Sequence, residues 1–441
     1  MKKILFLTTA NLPTNPRLLK EVDLLSKIHA ITVVLFRLGN WSDAQNEEMM
    51  HNRSHIRFEV LDVTRSHFLY WLKWALDEKA GRLWFRFFPS SLFGAALGLS
   101  RRSVMMAELL ERMEKPDLII AHNLGALYPA WHWAQKWGIP FGYDAEDYDP
   151  GIYVPQGGKN YVPACEMVLR SCLPAARYIT SASPLIGQHT IDLIGGHPNH
   201  RVVLNNFPSG EFVAPVLRDD NELRLIWFSQ RISFGRGLEQ LFEALKSILN
   251  SSTSQLLSSS RPLLILTLIG DLDPAFQQAV LSPFLDDVLR PLDVGETMGF
   301  HSFNDSYRSV ETIRVDVRTP MLQSDLHREL AYHDVGLALE FNQTDLNRQL
   351  CLTNKIMAYA QAGLYLLATD TPAQRQFMEE HSSMGTVCGQ DEEGIGTGLR
   401  LLMENAARVH WDKLNRYEKG KELAWEKESY KLSEGCNSVS L

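Results

Sequence analysis

The sequence predicts an α/β protein built from two doubly wound parallel sheets in tandem. Three observations predict it. Short runs rich in Val, Ile and Leu recur between amphipathic stretches, the pattern of parallel strands covered on both faces by crossover helices. The pattern stops at a polar stretch with prolines and acids, NNFPSGEFVAPVLRDDNE, and then restarts. A chain of 441 residues also exceeds what one ordinary core absorbs, so two domains are the simplest division.

In the first half the strand candidates are residues 4–7, 31–36, 118–120, 139–143, 178–180 and 202–204. In the second they are 223–228, 263–269, 335–339 and 364–368. This places a first domain over 1–205, a linker over 206–221 and a second domain over 222–410. Residues 411–432 read as helical with mixed charge, so 411–441 is expected to be a C-terminal helix packing back on the first domain, with EGCNSVSL as a frayed tail. Periodicity weakens over 271–316, and SSTSQLLSSSRP is serine-rich, so both read as surface loops.

Composition excludes several classes. Hydrophobic residues are 45% and charged residues 22%, which is globular. A formal net charge of -8 argues against a nucleic-acid partner. The five cysteines are odd in number, scattered and free of C-x-x-C pairs, which speaks against a disulfide framework or zinc site and for a reducing cytoplasm. The apolar run of MKKILFLTT is too short for a signal peptide and reads as a first strand. No apolar stretch approaches the roughly 20 residues of a spanning helix. Residues 67–102, where aromatics interleave with Lys and Arg, carry two readings. They suit either a helix lying in the interface at the inner face of the membrane or a helical hairpin covering the sheet.

Candidate chemistry lies at strand ends, where open α/β sheets bind ligands. After the first strand, NLPTNPRLLKEV opens a helix near Pro16, which puts Asn15 and Arg17 at its start. The fourth strand delivers His122 and Asn123, and the next delivers YDAEDYDPG, whose Asp144, Glu146 and Asp147 are candidates for holding acceptor hydroxyls or a proton. For His122 a structural role stays open, as does a solvated acidic turn for the carboxylates. In the second half, Arg231 and Arg236 are expected on a loop between a strand and an amphipathic helix, an anion site suited to a diphosphate. In LTNKIMAYAQAGLYLLATDTPAQ, Thr353 is a cap candidate for a helix beginning at Asn354. Lys355 then sits in a first turn, where a cation opposes the helix dipole unless an anion shares the site. Thr369 and Thr371 follow at the next strand exit.

Taken together, these segments resemble the retaining GT-B glycosyltransferases of family 4 type. NPRLLKEVDLLSK resembles the PR-x-x-KE-A helix of that family, and KPDLIIAHNLGALYPAWHWAQKWGIPFGYDAED its strand with a His followed by a G-I/K-P strand. QRISFGRGLEQLFEAL resembles the G-R-L … K-G block, and HDVGLALE with TNKIMAYAQAGLYLLATD the A-D-V-G-L and N-K-x-x-E-Y-M-A-A-G blocks. The resemblance implies two Rossmann-like domains facing a central cleft, with a nucleotide sugar held mainly by the second and an acceptor by the first. It also implies sugar transfer with retention, without a metal or other cofactor. Arg231 and Arg236 would neutralise the leaving diphosphate, and His122 would contact the transferring sugar. Glu340, Asn347, Asn354, Lys355, Thr369 and Thr371 would line the donor site; Asn15, Arg17, Asp144 and Glu146 would border the acceptor. One departure stands out. Where the family carries two glutamates with seven residues between them, this chain has Leu350 and Ala358, which leaves Glu340, Asn347 or Asn354 to replace the lost ribose contacts. The alternatives are a catalytically inactive glycosyltransferase-like binding protein and a nucleotide-sugar epimerase on the same fold.

Overall fold

The computed structural model describes residues 1–154, 158–218, 221–251, 263–288, 313–341 and 345–437. The chain forms two compact units. The first comprises Met1–Asn205, Asp345–Cys351 and Glu428–Leu441; the second comprises Asn206–Thr344 and Leu352–Lys427. Residues 206–221 therefore belong to the second unit, and the C-terminal stretch is divided between the two at Lys427 and Glu428.

Seven parallel strands make the first sheet: β1 (Lys3–Thr8), β2 (Ala30–Arg37), β3 (Arg57–Asp62), β4 (Leu118–His122), β5 (Phe141–Ala145), β6 (Tyr178–Ser181) and β7 (His200–Val202), in the order β3-β2-β1-β4-β5-β6-β7. Alternate residues serve opposite faces. Leu5 and Leu7 join a core with Val34, Ile119 and Phe141, while Ile4 and Phe6 join a second core with Ile31, Val33 and Leu118. Strands sandwiched this way must be apolar at nearly every position, and for that reason their runs are conspicuous in the sequence.

The second sheet holds six strands: β8 (Glu222–Ile232), β9 (Leu263–Leu272), β10 (Ile313–Arg318), β11 (Val335–Ala338), β12 (Tyr365–Thr369) and β13 (Gly385–Cys388), in the order β10-β9-β8-β11-β12-β13. The winding repeats that of the first sheet. Each unit thus has a switch point where the order reverses, between β1 and β4 in one and between β8 and β11 in the other. In the second, β11 pairs with β8 only at Val335–Leu225 and Gly336–Ile226, so the carboxyl end of β8 runs on unpaired with β11.

Several boundaries differ from the sequence expectation. The strands without an apolar run, β3, β10 and β13, all lie at sheet edges, where solvent permits sequences such as RFEVLD and IRVDVR. The edge strand β7 also lies earlier than expected. β5 extends to Ala145, so Asp144 is a strand residue. β8 extends to Ile232, so Arg231 is in a strand and not on a loop, beyond a bulge between Phe228 and Arg231. Over 271–288 the chain forms the end of β9, short helical turns and the helix Ser282–Val288; residues 252–262 and 289–312 lie outside the described residues. The C-terminal stretch forms Ala406–Trp411, Lys413–Gly420 and Trp425–Asn437, the last taking in the start of the expected tail.

Residues 67–102 include a hairpin of two helices, Phe68–Phe87 and Leu92–Leu99, that buries Phe85, Ala95 and Ala96 in the first core. The two helices touch through backbone: a Cβ on Gly81 would lie 2.6 Å from the amide nitrogen of Gly98.

Candidate functional site

At the first switch point the helix Pro16–Leu25 begins directly after the β1 loop. Asn15 caps it, its Oδ1 accepting from the Leu18 amide at 3.0 Å while its Nδ2 donates to Thr8 Oγ1 at 3.3 Å. Leu18, Glu21, Val22 and Leu25 form its buried face. Arg17 and Glu21, four residues apart, share one side of the helix. The Arg17 guanidinium grips Asp144 with two bonds of 2.7 and 2.6 Å and donates a third to the Val203 carbonyl. Asp144 also accepts from Thr180 Oγ1.

His122, at the tip of β4 and 1% exposed, lies between two carboxylates. Its Nδ1 is 2.8 Å from Glu146 Oε1 and its Nε2 is 3.0 Å from Glu21 Oε2. Burial alone pulls the imidazole down, but the hydrogen bonds to Glu146 and Glu21 and the charge of Asp144 lift it to about 10, so it is a doubly donating imidazolium at neutral pH. For Asp144, burial works upward while the Arg17 charge and hydrogen bonds hold it down at about 2. Burial pushes Glu146 upward against the pull of His122.

Asn123 follows with φ 73, the sole non-glycine residue with positive φ among the described residues. Two bonds hold this costly conformation: Oδ1 accepts from Thr8 Oγ1 and Nδ2 donates to Glu146 Oε2, both at 2.7 Å.

In this network both ring nitrogens of His122 and all the strong polar groups of Asn15, Arg17 and Asp144 are satisfied internally. Glu146, with its side chain 15% exposed, is its most accessible carboxylate. The ligand atoms of His122, Asp144 and Glu146 lie within 4.8 Å of one another, close enough for a cation. The donor chemistry opposes that, since the imidazole carries its proton and Asp144 is held by a guanidinium.

Asn347 belongs to the first unit rather than with the other donor-site candidates. Its Oδ1 accepts from the Tyr148 amide at 2.8 Å and its Nδ2 donates to Asp147 at 2.7 Å.

At the second switch point the chain leaves β8 through Ser233, Phe234, Gly235, Arg236 and Gly237 and enters the helix Leu238–Ser251, whose Leu238, Leu241, Phe242 and Leu245 are buried. Gly235 and Gly237 both have positive φ, 70 and 82. At Gly237 space is decisive as well, since a Cβ would lie 2.4 Å from the Phe341 ring. Arg236, between the glycines and half-buried, makes no ion pair or hydrogen bond among the described residues. Arg231 has a side chain 60% exposed and meets Asp273 at 3.2 Å. A helix start and a guanidinium with unused donors thus stand beside one short loop.

Lys355 finds its counter-ion within the protein. Its ammonium is 3.0 Å from Glu340 Oε1, both side chains being 10% exposed, and 5.1 Å from the centre of the Trp227 ring. A carboxylate supplies the compensation that the first-turn placement requires. Asn354 opens the helix Asn354–Gln361, although the Thr353 hydroxyl makes no cap bond and is buried without a partner among the described residues. Thr369 Oγ1 accepts from the Glu340 amide at 2.7 Å and donates to the Glu340 carbonyl, which ties the ends of β11 and β12 together. Thr371 caps the helix Pro372–Glu380. Ala358, on the helix that carries Lys355, is fully buried.

Sequence reasoning did not single out Glu21, although it lies four residues after Arg17 in the quoted helix, the spacing that puts both on one face. It also passed over Gly237, whose need is visible only once Phe341 is placed.

Two doubly wound units of this kind in one chain define the GT-B fold, the glycosyltransferase-type architecture. Particular solved structures share it along nearly the whole length. HepE of Anabaena, solved with UDP, matches with a TM-score of 0.65 at 14% identity, covering 99% of this chain and 100% of that one. It has also been solved with UDP and glucose and with UDP-glucose. Sucrose-phosphate synthase of Thermosynechococcus elongatus matches with 0.64 at 12% identity, covering 100% and 99%. The lipopolysaccharide outer core galactosyltransferase WaaB in its apo form matches with 0.56 at 12%, covering 99% of each. No family model and no curated protein matches the sequence. At these identities the likeness is one of fold.

Proposed function

We propose that this protein is a retaining glycosyltransferase of family 4 type, working without a metal. It takes a sugar from a nucleoside-diphosphate sugar held by the second unit and passes it to a saccharide or lipid-linked acceptor at the first, in surface polysaccharide or glycoconjugate synthesis. The setting is cytoplasmic. One observation carries the reading: Arg236, without a partner among the described residues, stands between two positive-φ glycines at a helix start on the switch point of the second sheet. That is a fitting place for a diphosphate, and the solved structures of HepE with UDP and UDP-glucose add support by analogy of fold.

In this reading Arg231 and Arg236 neutralise the leaving diphosphate. Lys355, Glu340, Asn354, Thr369 and Thr371 shape the donor site around them. Glu146 is the group of the first unit that borders the acceptor, with Asn15, Arg17, His122 and Asp144 holding it in position. Thermal-shift titration with UDP, GDP, ADP and dTDP, and with their sugars, tests the core of the proposal. One of them should stabilise the protein, by about 2.7 kcal/mol at a hundredfold excess over its dissociation constant. Arg236→Ala should weaken that binding by 1.5 to 3 kcal/mol, roughly 10- to 150-fold. Absence of any stabilisation at millimolar ligand would refute it.

A second reading, binding without transfer, is favoured by the buried methyl of Ala358 where the resemblance calls for a glutamate. Calorimetric donor binding with no sugar release across a panel of acceptors would select it.

A further inference from the structure

The helix Phe68–Phe87 turns an apolar stripe outward. Leu69, Leu72, Leu76, Ala80, Leu83 and Phe87 recur at steps of three and four, and Leu69, Leu76, Leu83 and Phe87 are 79%, 56%, 54% and 68% exposed. The opposite side carries Trp74, Gly81 and Phe85 into the first unit, so the helix is apolar on both sides. Its orientation is set by the backbone contact of Gly81 with Gly98, which leaves the stripe no inward alternative. Phe68, Tyr70, Trp84, Phe88 and Phe93 add further exposed aromatic surface. Contiguous apolar surface on this scale marks an interaction site.

Charge identifies the partner. Beside the stripe, the same helix and its neighbours enclose a cavity of about 340 Å³ whose lining includes Lys79, Arg82, Arg86 and Lys159 above Phe85 and Tyr161. Arg82 is engaged with Glu78 and the Gly98 carbonyl. Lys79, Arg86 and Lys159 are exposed and make no ion pair among the described residues. An acidic lining group is missing from this set. The whole chain is net negative, so three unpaired cations at one cavity beside an apolar stripe are a local feature. A second copy of the chain would bring this stripe with the same cations, which repel. No helix among the described residues is long and apolar enough to cross a membrane, and an exposed apolar stripe running along a helix suits an interfacial placement.

We propose that the first unit docks on an anionic bilayer through this helix, its stripe in the acyl boundary and the Lys79, Arg86 and Lys159 cavity holding a lipid phosphate. The inference stands apart from the glycosyl-transfer reading and survives its failure.

Flotation of the full chain with vesicles of phosphatidylcholine alone, and of phosphatidylcholine with phosphatidylglycerol, tests it. The protein should float with the anionic vesicles, and high salt should release it. Each membrane-facing cation contributes about fivefold, so Lys79→Ala/Arg86→Ala/Lys159→Ala should bind anionic vesicles roughly a hundredfold more weakly. Leu76→Glu/Leu83→Glu should lose binding to both vesicle types. All five sites are exposed or partly so, and unchanged melting temperatures would confirm intact folds. Equal binding to neutral and anionic vesicles, or an unaffected triple-alanine variant, overturns the phosphate site. No flotation of the wild type overturns the proposal, as does a dimer in light scattering that Leu76→Glu/Leu83→Glu dissociates.

Discussion

Replacing His122 by Leu tests the central structural claim about the first unit, that an imidazolium holds two buried carboxylates in place. Leu keeps most of the volume and removes both donors. Two charge-assisted bonds, at 2.8 and 3.0 Å, disappear, and Glu21 and Glu146 are left facing one another. Each such bond is worth about 1.5 to 3 kcal/mol net, and breaking a buried pair by removing one partner costs about 3 to 5 kcal/mol. The two estimates overlap, so a loss of about 3 to 5 kcal/mol is expected. For a unit of this size each kcal/mol moves the melting temperature by roughly 2 to 4 °C, which makes a fall of roughly 6 to 20 °C.

The pH dependence separates this mechanism from simple packing. The His122 pKa is raised to about 10 in the folded protein against 6.5 unfolded. Its contribution is therefore fully present below the unfolded value and is lost as pH rises from there through about 10. Asp144 works in the other direction. Held at about 2 against an ordinary 3.8, it contributes above the unfolded value and loses that contribution as pH falls through the folded one. Urea unfolding across the pH range should show the wild type weakening above neutrality, while His122→Leu loses most of that slope and keeps the acid limb. A variant loss under about 1 kcal/mol, or a wild type equally stable at pH 6 and pH 9.5, would refute the claim.

Three further outcomes follow from the geometry. Lys355→Met should cost about 3 to 5 kcal/mol by leaving Glu340 buried and unpaired, and Glu340→Gln in the same chain should recover a large part, measured by urea midpoints. Gly237→Ala should destabilise the second unit by about 1 to 3 kcal/mol, because its φ of 82 and the Phe341 ring both oppose a side chain. Phe341→Ala should relieve the clash but not the backbone strain. Burial pushes the Cys165 thiol upward and those of Cys172 and Cys388 up to about 12. These three should resist a thiol reagent at pH 8 until denaturant is added.

The elements legible in the sequence were those under two-sided burial. β1, β2, β4, β8 and β9 are covered on both faces and spell themselves as apolar runs. β3 and β10, at the edges, carry charges at alternate positions and do not, and the edge strand β13 is only the four residues GTVC. Side-chain partners were less legible because they depend on register. Thr8 lies beside His122, and His122 beside Asp144, through pairings of β1 with β4 and β4 with β5 that no local pattern announces. Arg17 was readable as a strand-exit cation, but its grip on Asp144 joins residues 127 apart. For Asn347, sequence neighbourhood with Lys355 suggests the second unit, while its contacts with the Tyr148 amide and Asp147 lie in the first.

At Lys355 one local argument admits two anions, a ligand phosphate and a carboxylate of the protein. A cation in the first turn of a helix does demand compensation, and a phosphate would satisfy it. The fold already supplies Glu340, with the Trp227 ring beside the ammonium. An incoming diphosphate at this position would have to draw the ammonium from a partner 3.0 Å away or meet the Glu340 charge. At Arg236 no bond among the described residues has to be broken before a ligand is bound. The two cations therefore differ in what binding costs, although both stand at helix starts of one sheet. If Arg236 supplies the anion affinity, Arg236→Ala should remove most nucleoside-diphosphate binding, and Lys355→Met/Glu340→Gln, which deletes a neutral pair, should leave it within about threefold. The reverse ranking in calorimetric titrations would mean that Glu340 yields its partner to the ligand and that the donor site is organised around the helix Asn354–Gln361.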